Sequence, residues 1–213
     1  IPIYSVDASY MIDKETGYIK ISRFGATTHK EFMEAFRKLK EEGLKNLIVD
    51  LQSNGGGYIS TAVDISNEFL GKDKLIVYTE GRHQPRYSEI SKSKGNYETG
   101  KLVILVNEGS ASASEIVSGA VQDWDRGVIV GRRTFGKGLV QRQIPLPGES
   151  AMRLTIARYY TPTGRCIQKP YTNGDKKDYE YDIVNRYKHG EMITADSIQF
   201  PDSLKYETLV NKR

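Results

Sequence analysis

The chain has 213 residues, 38% of them hydrophobic and 27% charged, a balance that excludes a disordered or membrane-dominated protein and suits one sizeable core. Its 31 basic and 27 acidic residues leave a net charge of +4 spread along the chain, without the basic stripe of a nucleic-acid binder. No apolar run approaches the ~20 residues of a membrane span, and the single Cys166 excludes an internal disulfide and a cysteine-rich zinc site. The chain begins without Met in a structured-looking segment, Ile1 to Val6, and reads as an excised piece of a longer protein. A missing export signal therefore says nothing about location.

Residues 18–24 alternate apolar and polar, the pattern of a half-buried strand. Thr28-His29-Lys30-Glu31 has the spacing of a capping box, and Phe32, Met33, Phe36 and Leu39 then share one helical face up to Gly43. Leu47-Ile48-Val49 is a short apolar run suited to a covered parallel strand, followed by Ser53 to Gly57 and a helical pattern from Ile59 to Leu70. Leu75 to Tyr78 is a strand, and 80–100 is polar enough to read as a mobile excursion. Leu102 to Val106 is a strand expected to be buried on both faces. Residues 109–114 open a helix to about Trp124, and Val128 to Val130 is another strand. This beat predicts an α/β fold of stacked βαβ units with a largely parallel sheet. Residues 139–144 and 152–156 flank Pro145-Leu146-Pro147-Gly148 as an added β-hairpin region, and the tail from Asn173 is charged and Tyr-rich.

Three segments have the makings of a site. Asn54-Gly55-Gly56-Gly57 follows a strand, where open α/β sheets place ligands, and its glycines let the backbone approach a ligand and turn N–H groups to it. A flexible turn would look the same. Gly109-Ser110-Ala111-Ser112-Ala113-Ser114 sets a serine among small residues at a helix start, although an N-cap serine has the same appearance. Thr134-Phe135-Gly136-Lys137-Gly138 sets one lysine between glycines and beside apolar groups, where burial would lower its pKa and make it a base. An ordinary exposed turn lysine is the plain alternative.

In this order and spacing the segments resemble the C-terminal processing, or tail-specific, serine peptidase family. The matching stretches are 54–57, Asn107 to Ile116, Gly131 to Gln141, and Tyr159-Tyr160-Thr161-Pro162-Thr163-Gly164-Arg165, and the likeness runs from about 17 to 170. Residue by residue, it implies Ser112 as nucleophile, Lys137 as general base and Gln141 as the group that positions the lysine. It also implies an oxyanion hole from the backbone N–H groups of Gly56 and Ala113, with Ser110 and Ser114 as flankers. Family members often carry Arg where this chain has Gln52 and Pro where it has Gly55; the glycine loosens the loop, which bears on the placement of the Gly56 amide.

The resemblance implies a ClpP- and crotonase-like spiral core, like that of enoyl-CoA hydratases. A peptidase core would then span 1–172, with a C-terminal extension over 173–213 packed on it, and the family's peptide-binding PDZ domain is not recognisable in this piece. The activity implied is a serine endopeptidase acting on protein or peptide substrates, near their C-termini, by a Ser–Lys dyad. No cofactor, no metal and no nucleic acid enters; a homo-oligomer or an adaptor stays open, and the implied home is the periplasm or cell envelope. Two other readings stand beside it: a non-catalytic scaffold that binds peptide tails, and a crotonase-type acyl-CoA enzyme. His29, His83 and His189 lie far apart without an accompanying cluster and read as surface residues, and Asp123 and Asp125 as structural ones.

Overall fold

The computed structural model describes residues 3–171, 176–194, 197–198 and 202–213. Ile1, Pro2 and the domain boundary expected at 172/173 lie outside the described residues. The elements run β1 (Val6–Met11), β2 (Thr16–Ile21), α1 (Thr28–Glu41), β3 (Asn46–Asp50), α2 (Ile59–Phe69), β4 (Leu75–Gly81) and β5 (Gln84–Ile90). They continue with β6 (Lys101–Val106), α3 (Ala113–Asp123), β7 (Val128–Gly131), β8 (Leu139–Pro145), β9 (Ala151–Tyr160), α4 (Lys176–Glu180) and α5 (Asp182–Lys188). A 3-10 turn follows at Asp202–Leu204.

The fold is mixed α/β, with one sheet largely parallel and the other antiparallel. The first has the order β1-β2-β3-β6-β7, in which β2, β3, β6 and β7 run parallel and β1 closes one edge antiparallel to β2. The second, β5-β4-β9-β8, is antiparallel throughout. Trp124, just past α3, ties helix to second sheet through Nε1, which donates to the Leu75 carbonyl at 2.7 Å.

Helix α1 forms because Phe32, Ala35, Phe36 and Leu39 recur at helical spacing and bury together, and Gly43 stops it at φ +105°. Phe32 meets Phe69 of α2 edge-on at 5.8 Å, and Phe36 meets Tyr97 at 5.6 Å. Each such side chain, fully buried, contributes about 1.5–3 kcal/mol. The expected capping box is displaced. Thr27 Oγ1, not Thr28, donates to Glu31 Oε1 at 2.6 Å. Glu31 Oε2 accepts from the Ser5 and Val6 N–H groups and so ties β1 to the helix.

Segment 80–100 is not a loose excursion: 84–90 pairs with β4 as an edge strand. The turn after it is pinned by Ser91 Oγ, which donates to the Gly71 carbonyl at 2.5 Å, and by Glu68, which accepts from Asn96 N and Nδ2. Strand β6 is buried fully at Leu102, Ile104 and Val106 and only partly at Val103 and Leu105. Among the described residues no helix is long and apolar enough to cross a membrane, and no group of three or more His, Cys, Asp or Glu side chains is placed to hold a metal ion.

Candidate active site

Strands β3, β6 and β7 are neighbours and parallel, so the loops leaving their C-terminal ends converge. These are the glycine loop 51–58, the serine turn 107–112 and the lysine loop 132–138. Asn54 knits the first two. Its carbonyl accepts from Ala111 N and from Ser114 Oγ, both at 2.9 Å, while its buried side chain donates to the Ile21 carbonyl at 2.8 Å. Asn107 Oδ1 accepts from Ser53 N and Gly109 N at 2.8 and 3.0 Å.

Three serines share the turn, and the structure separates them. Ser110 Oγ donates to the Leu51 carbonyl at 2.7 Å, Ser114 Oγ to the Asn54 carbonyl at 2.9 Å, and both residues are fully buried. From 110 to 121 only Ser112 keeps partial exposure. Its backbone sits at φ +56°, ψ −111°, a conformation costly to a residue with a Cβ and held here by the surrounding bonds. The result is a serine at the start of α3, with the helix N-terminus beside it.

Glu115 is the junction. Its carboxylate is buried and takes four donors from two loops: Ser112 N at 2.7 Å and Lys137 N at 2.9 Å on Oε2, and Thr134 Oγ1 at 2.7 Å and Gly136 N at 2.6 Å on Oε1. The lysine loop is further held by Phe135 N, which donates to the Ser110 carbonyl at 3.0 Å. Burial works to hold the Glu115 carboxyl above the ordinary 4.5, against the pull of those donors, and burial wins.

The expected burial of Lys137 is not found: Lys137 and Leu139 are both exposed. The flanking glycines serve the backbone instead. A Cβ at Gly136 would lie 2.7 Å from Lys169 Cβ, and one at Gly138 would lie 2.4 Å from Gln168 N. Segment 167–169 takes that space, with Lys169 N donating to the Gly136 carbonyl and Gly138 N donating to Gln168 Oε1. Gln141 lies on β8 opposite Thr155, just after a β-bulge, with its side chain exposed. Among the described residues the Gln141 amide makes no hydrogen bond to Lys137.

Gly56 lies against the serine turn. At φ +96°, a Cβ there would come within 2.7 Å of the Ala111 carbonyl, 2.8 Å of Ser112 Cβ and 3.0 Å of Ala113 N. Its N–H, however, donates to Asn54 Oδ1 at 2.9 Å, in the short turn that an Asn two residues earlier favours. Ala113 is fully buried.

A family model described as peptidase family S41 matches residues 15–181. The chain belongs to peptidase family S41. Among its S41 relatives, the carboxy-terminal-processing protease of Bartonella bacilliformis is 40% identical over 164 residues, 75% of this chain and 38% of the relative. The carboxy-terminal processing protease CtpA of Bacillus subtilis is 33% identical over 222 residues, 99% of this chain and 47% of the relative. A solved photosystem II D1 C-terminal processing protease superposes with a TM-score of 0.68 at 35% identity, over 72% of this chain and 39% of that one. The chain thus spans less than half the length of these S41 relatives.

Sequence reasoning missed that the Glu115 carboxylate joins the serine turn to the lysine loop and that the Asn54 side chain holds the glycine loop. The signal for Glu115 was present: Ser112 and Glu115 have capping-box spacing, and Glu115 does accept the Ser112 N–H. Nothing local announces that the same carboxylate also serves the lysine loop.

Proposed function

We propose that this chain is the catalytic core of a serine endopeptidase that cleaves protein substrates near their C-termini by a Ser112–Lys137 dyad. The observation that carries it is the partial exposure of Ser112 in an otherwise buried run, with both neighbouring serines engaged and its N–H sharing one Glu115 oxygen with the Lys137 N–H. Ser112 Oγ attacks the scissile carbonyl while the Lys137 amine, in its neutral form, takes the hydroxyl proton. The proton passes to the leaving amine, and water then cleaves the acyl-enzyme by the same route reversed. A peptide lying across the turn covers the exposed lysine and excludes water from it. Gln141, four residues on, orients the amine once substrate is bound; in the free chain its side chain is exposed.

The tetrahedral oxyanion is received by the N–H groups of Ala113 and Gly56, each such donor worth roughly 3–4 kcal/mol of barrier. Gly56 does so by giving up its bond to Asn54. We assign residues 1–172 to a spiral core of the ClpP and crotonase kind and 173–213 to an extension packed on it. A home outside the cytoplasm, in the periplasm or cell envelope, rests on family likeness alone; fractionation of the full-length protein tests it.

The deciding experiment is hydrolysis of a denatured protein by the chain beside Ser112→Ala, Lys137→Ala and Lys137→Arg, with fluorophosphonate labelling of Ser112. All three variants are expected to be inactive, Lys137→Arg because guanidinium stays protonated and cannot accept the serine proton. Near-normal hydrolysis by Lys137→Arg would reject the dyad, and by Ser112→Ala the nucleophile.

A further inference from the structure

The lysine loop is gripped a second time, from the C-terminal extension. Arg186 of α5 is buried, with 4% of its surface exposed. Its guanidinium makes three hydrogen bonds and lies 3.9 Å from Asp182 Oδ2. Nη2 donates to the Arg133 carbonyl at 2.6 Å, Nη1 to the Thr134 carbonyl at 3.3 Å, and Nε to Glu191 Oε1 at 2.8 Å. Glu191 is itself held by the loop, since Arg133 Nε and Nη2 donate to its two oxygens at 2.8 and 2.6 Å. The Glu191 N–H returns to the Arg186 carbonyl at 3.0 Å.

The loop backbone is therefore fixed through both its donors and its acceptors. Glu115, from the core, accepts from the N–H groups of Gly136 and Lys137; Arg186, from the extension, donates to the carbonyls of Arg133 and Thr134. Apolar packing does not explain the grip: Ile183 and Val184 of α5 are 38% and 44% exposed. A buried cation is costly unless it is paired and its donors are satisfied, and here the carboxylates of Glu191 and Asp182 and two carbonyls offset that cost. The planar fork of arginine spans such partners at once; a lysine ammonium does not.

We propose that Arg186 is a positioning residue for the reaction, setting the path of residues 133–137 and hence the placement of Lys137 against Ser112. The inference rests on the reading of Lys137 as the base. It makes the extension part of the catalytic apparatus.

The test is steady-state hydrolysis of a denatured protein by the whole chain carrying Arg186→Ala, Arg186→Lys or Glu191→Gln, beside Lys137→Ala. Arg186→Ala is expected to lose about 100-fold in kcat, the cost of a small misplacement, with KM nearly unchanged and fluorophosphonate labelling of Ser112 slowed. Millimolar guanidinium should restore part of its activity and none of that of Lys137→Ala. Arg186→Lys should be impaired despite its charge. A folded Arg186→Ala with unchanged kcat overturns the inference. Should Arg186→Ala not fold, Glu191→Gln decides: a fall in kcat at constant KM supports the clamp, and an unchanged kcat overturns it. An active Lys137→Ala would sink the dyad itself, whereas an inactive Lys137→Ala beside a fully active Arg186→Ala sinks only the clamp.

Discussion

The backbone N–H groups of Ser112 and Lys137 donate to the same atom, Oε2 of Glu115, at 2.7 and 2.9 Å. One buried oxygen thus fixes the serine turn and the lysine loop relative to each other. Shifting either moves it against the other.

Glu115→Gln is expected to keep the fold and lose about 100-fold in kcat. The amide keeps one acceptor oxygen for the Ser112 and Lys137 N–H groups and turns its NH2 toward the Thr134 hydroxyl and the Gly136 N–H, which loses its acceptor. Acid should mimic this change. Burial holds the Glu115 carboxyl above 4.5, so the folded chain takes up that proton more readily than the unfolded one. Stability owed to this group consequently falls as pH rises from 4.5 through the raised value, not on acidification. Activity runs the other way, because the protonated carboxyl loses an acceptor. A component of the acid-side loss of kcat should lie above 4.5 while the melting temperature holds, and Glu115→Gln should lack that component. An unchanged component in the variant would assign it to another group.

Ser112→Ala should abolish hydrolysis and leave the fold intact. Ser112→Gly should be equally inactive yet more stable by about 1 kcal/mol, since glycine adopts φ +56° without the strain a Cβ brings. Thermal melting of the two variants side by side reads the difference; equal midpoints would mean the turn is unstrained.

Gly55 and Gly56 should respond in opposite ways to alanine. A Cβ at Gly55 meets nothing within 4 Å, so Gly55→Ala should be neutral or stabilise by about 0.5 kcal/mol. Gly56→Ala drives a Cβ into the Ser112 turn at φ +96° and should cost about 2 kcal/mol or more along with activity. Chemical denaturation and hydrolysis assays on both check this, and a functional Gly56→Ala would contradict the close contact.

His29 and Glu68 should give stability a pH window. The bond to Glu68 holds the His29 imidazole above its ordinary 6.5, with burial opposing. Burial works to raise the Glu68 carboxyl, but the bonds from His29 and Asn96 outweigh it and leave it below 4.5. The histidine's contribution is full below 6.5 and is lost as pH rises through its raised value; the glutamate's is full above 4.5 and is lost as pH falls through its depressed value. Both are present between 4.5 and 6.5. Melting temperatures should decline as pH rises above 6.5 in the parent chain and lose that decline in His29→Gln.

Much of the frame was legible because it is written locally. The helical spacing of Phe32, Phe36 and Leu39 marks the buried face of α1, and the apolar runs at 47–49 and 102–106 mark adjacent parallel strands. Gly56, Ser112 and Lys137 stood out by composition around them. Strand β5 did not, because Gln84 to Ile90 has an exposed polar surface and a Pro85 that only an edge strand tolerates, and its pairing with β4 supplies what its own pattern lacks. The exposure of Lys137 was misread for a related reason. Its glycines looked like a pocket for the lysine, and they are a groove for residues 167–169. Arg186 acts across 52 and 53 residues of sequence, a relation that no periodicity encodes.

The dependence of the lysine loop on residues 167–169 bears on biosynthesis. On a ribosome, Ser112 and Lys137 emerge well before Gln168 and Lys169. Until those arrive, Gly136 lacks the Lys169 N–H on its carbonyl and Gly138 lacks the Gln168 acceptor, bonds of 3.0 and 2.9 Å in the finished molecule. With Ser112 and Lys137 in their proposed roles, a nascent chain carries the nucleophile without the frame of the base. On that reading hydrolytic competence waits until residue 169 has been made and has folded back on the lysine loop.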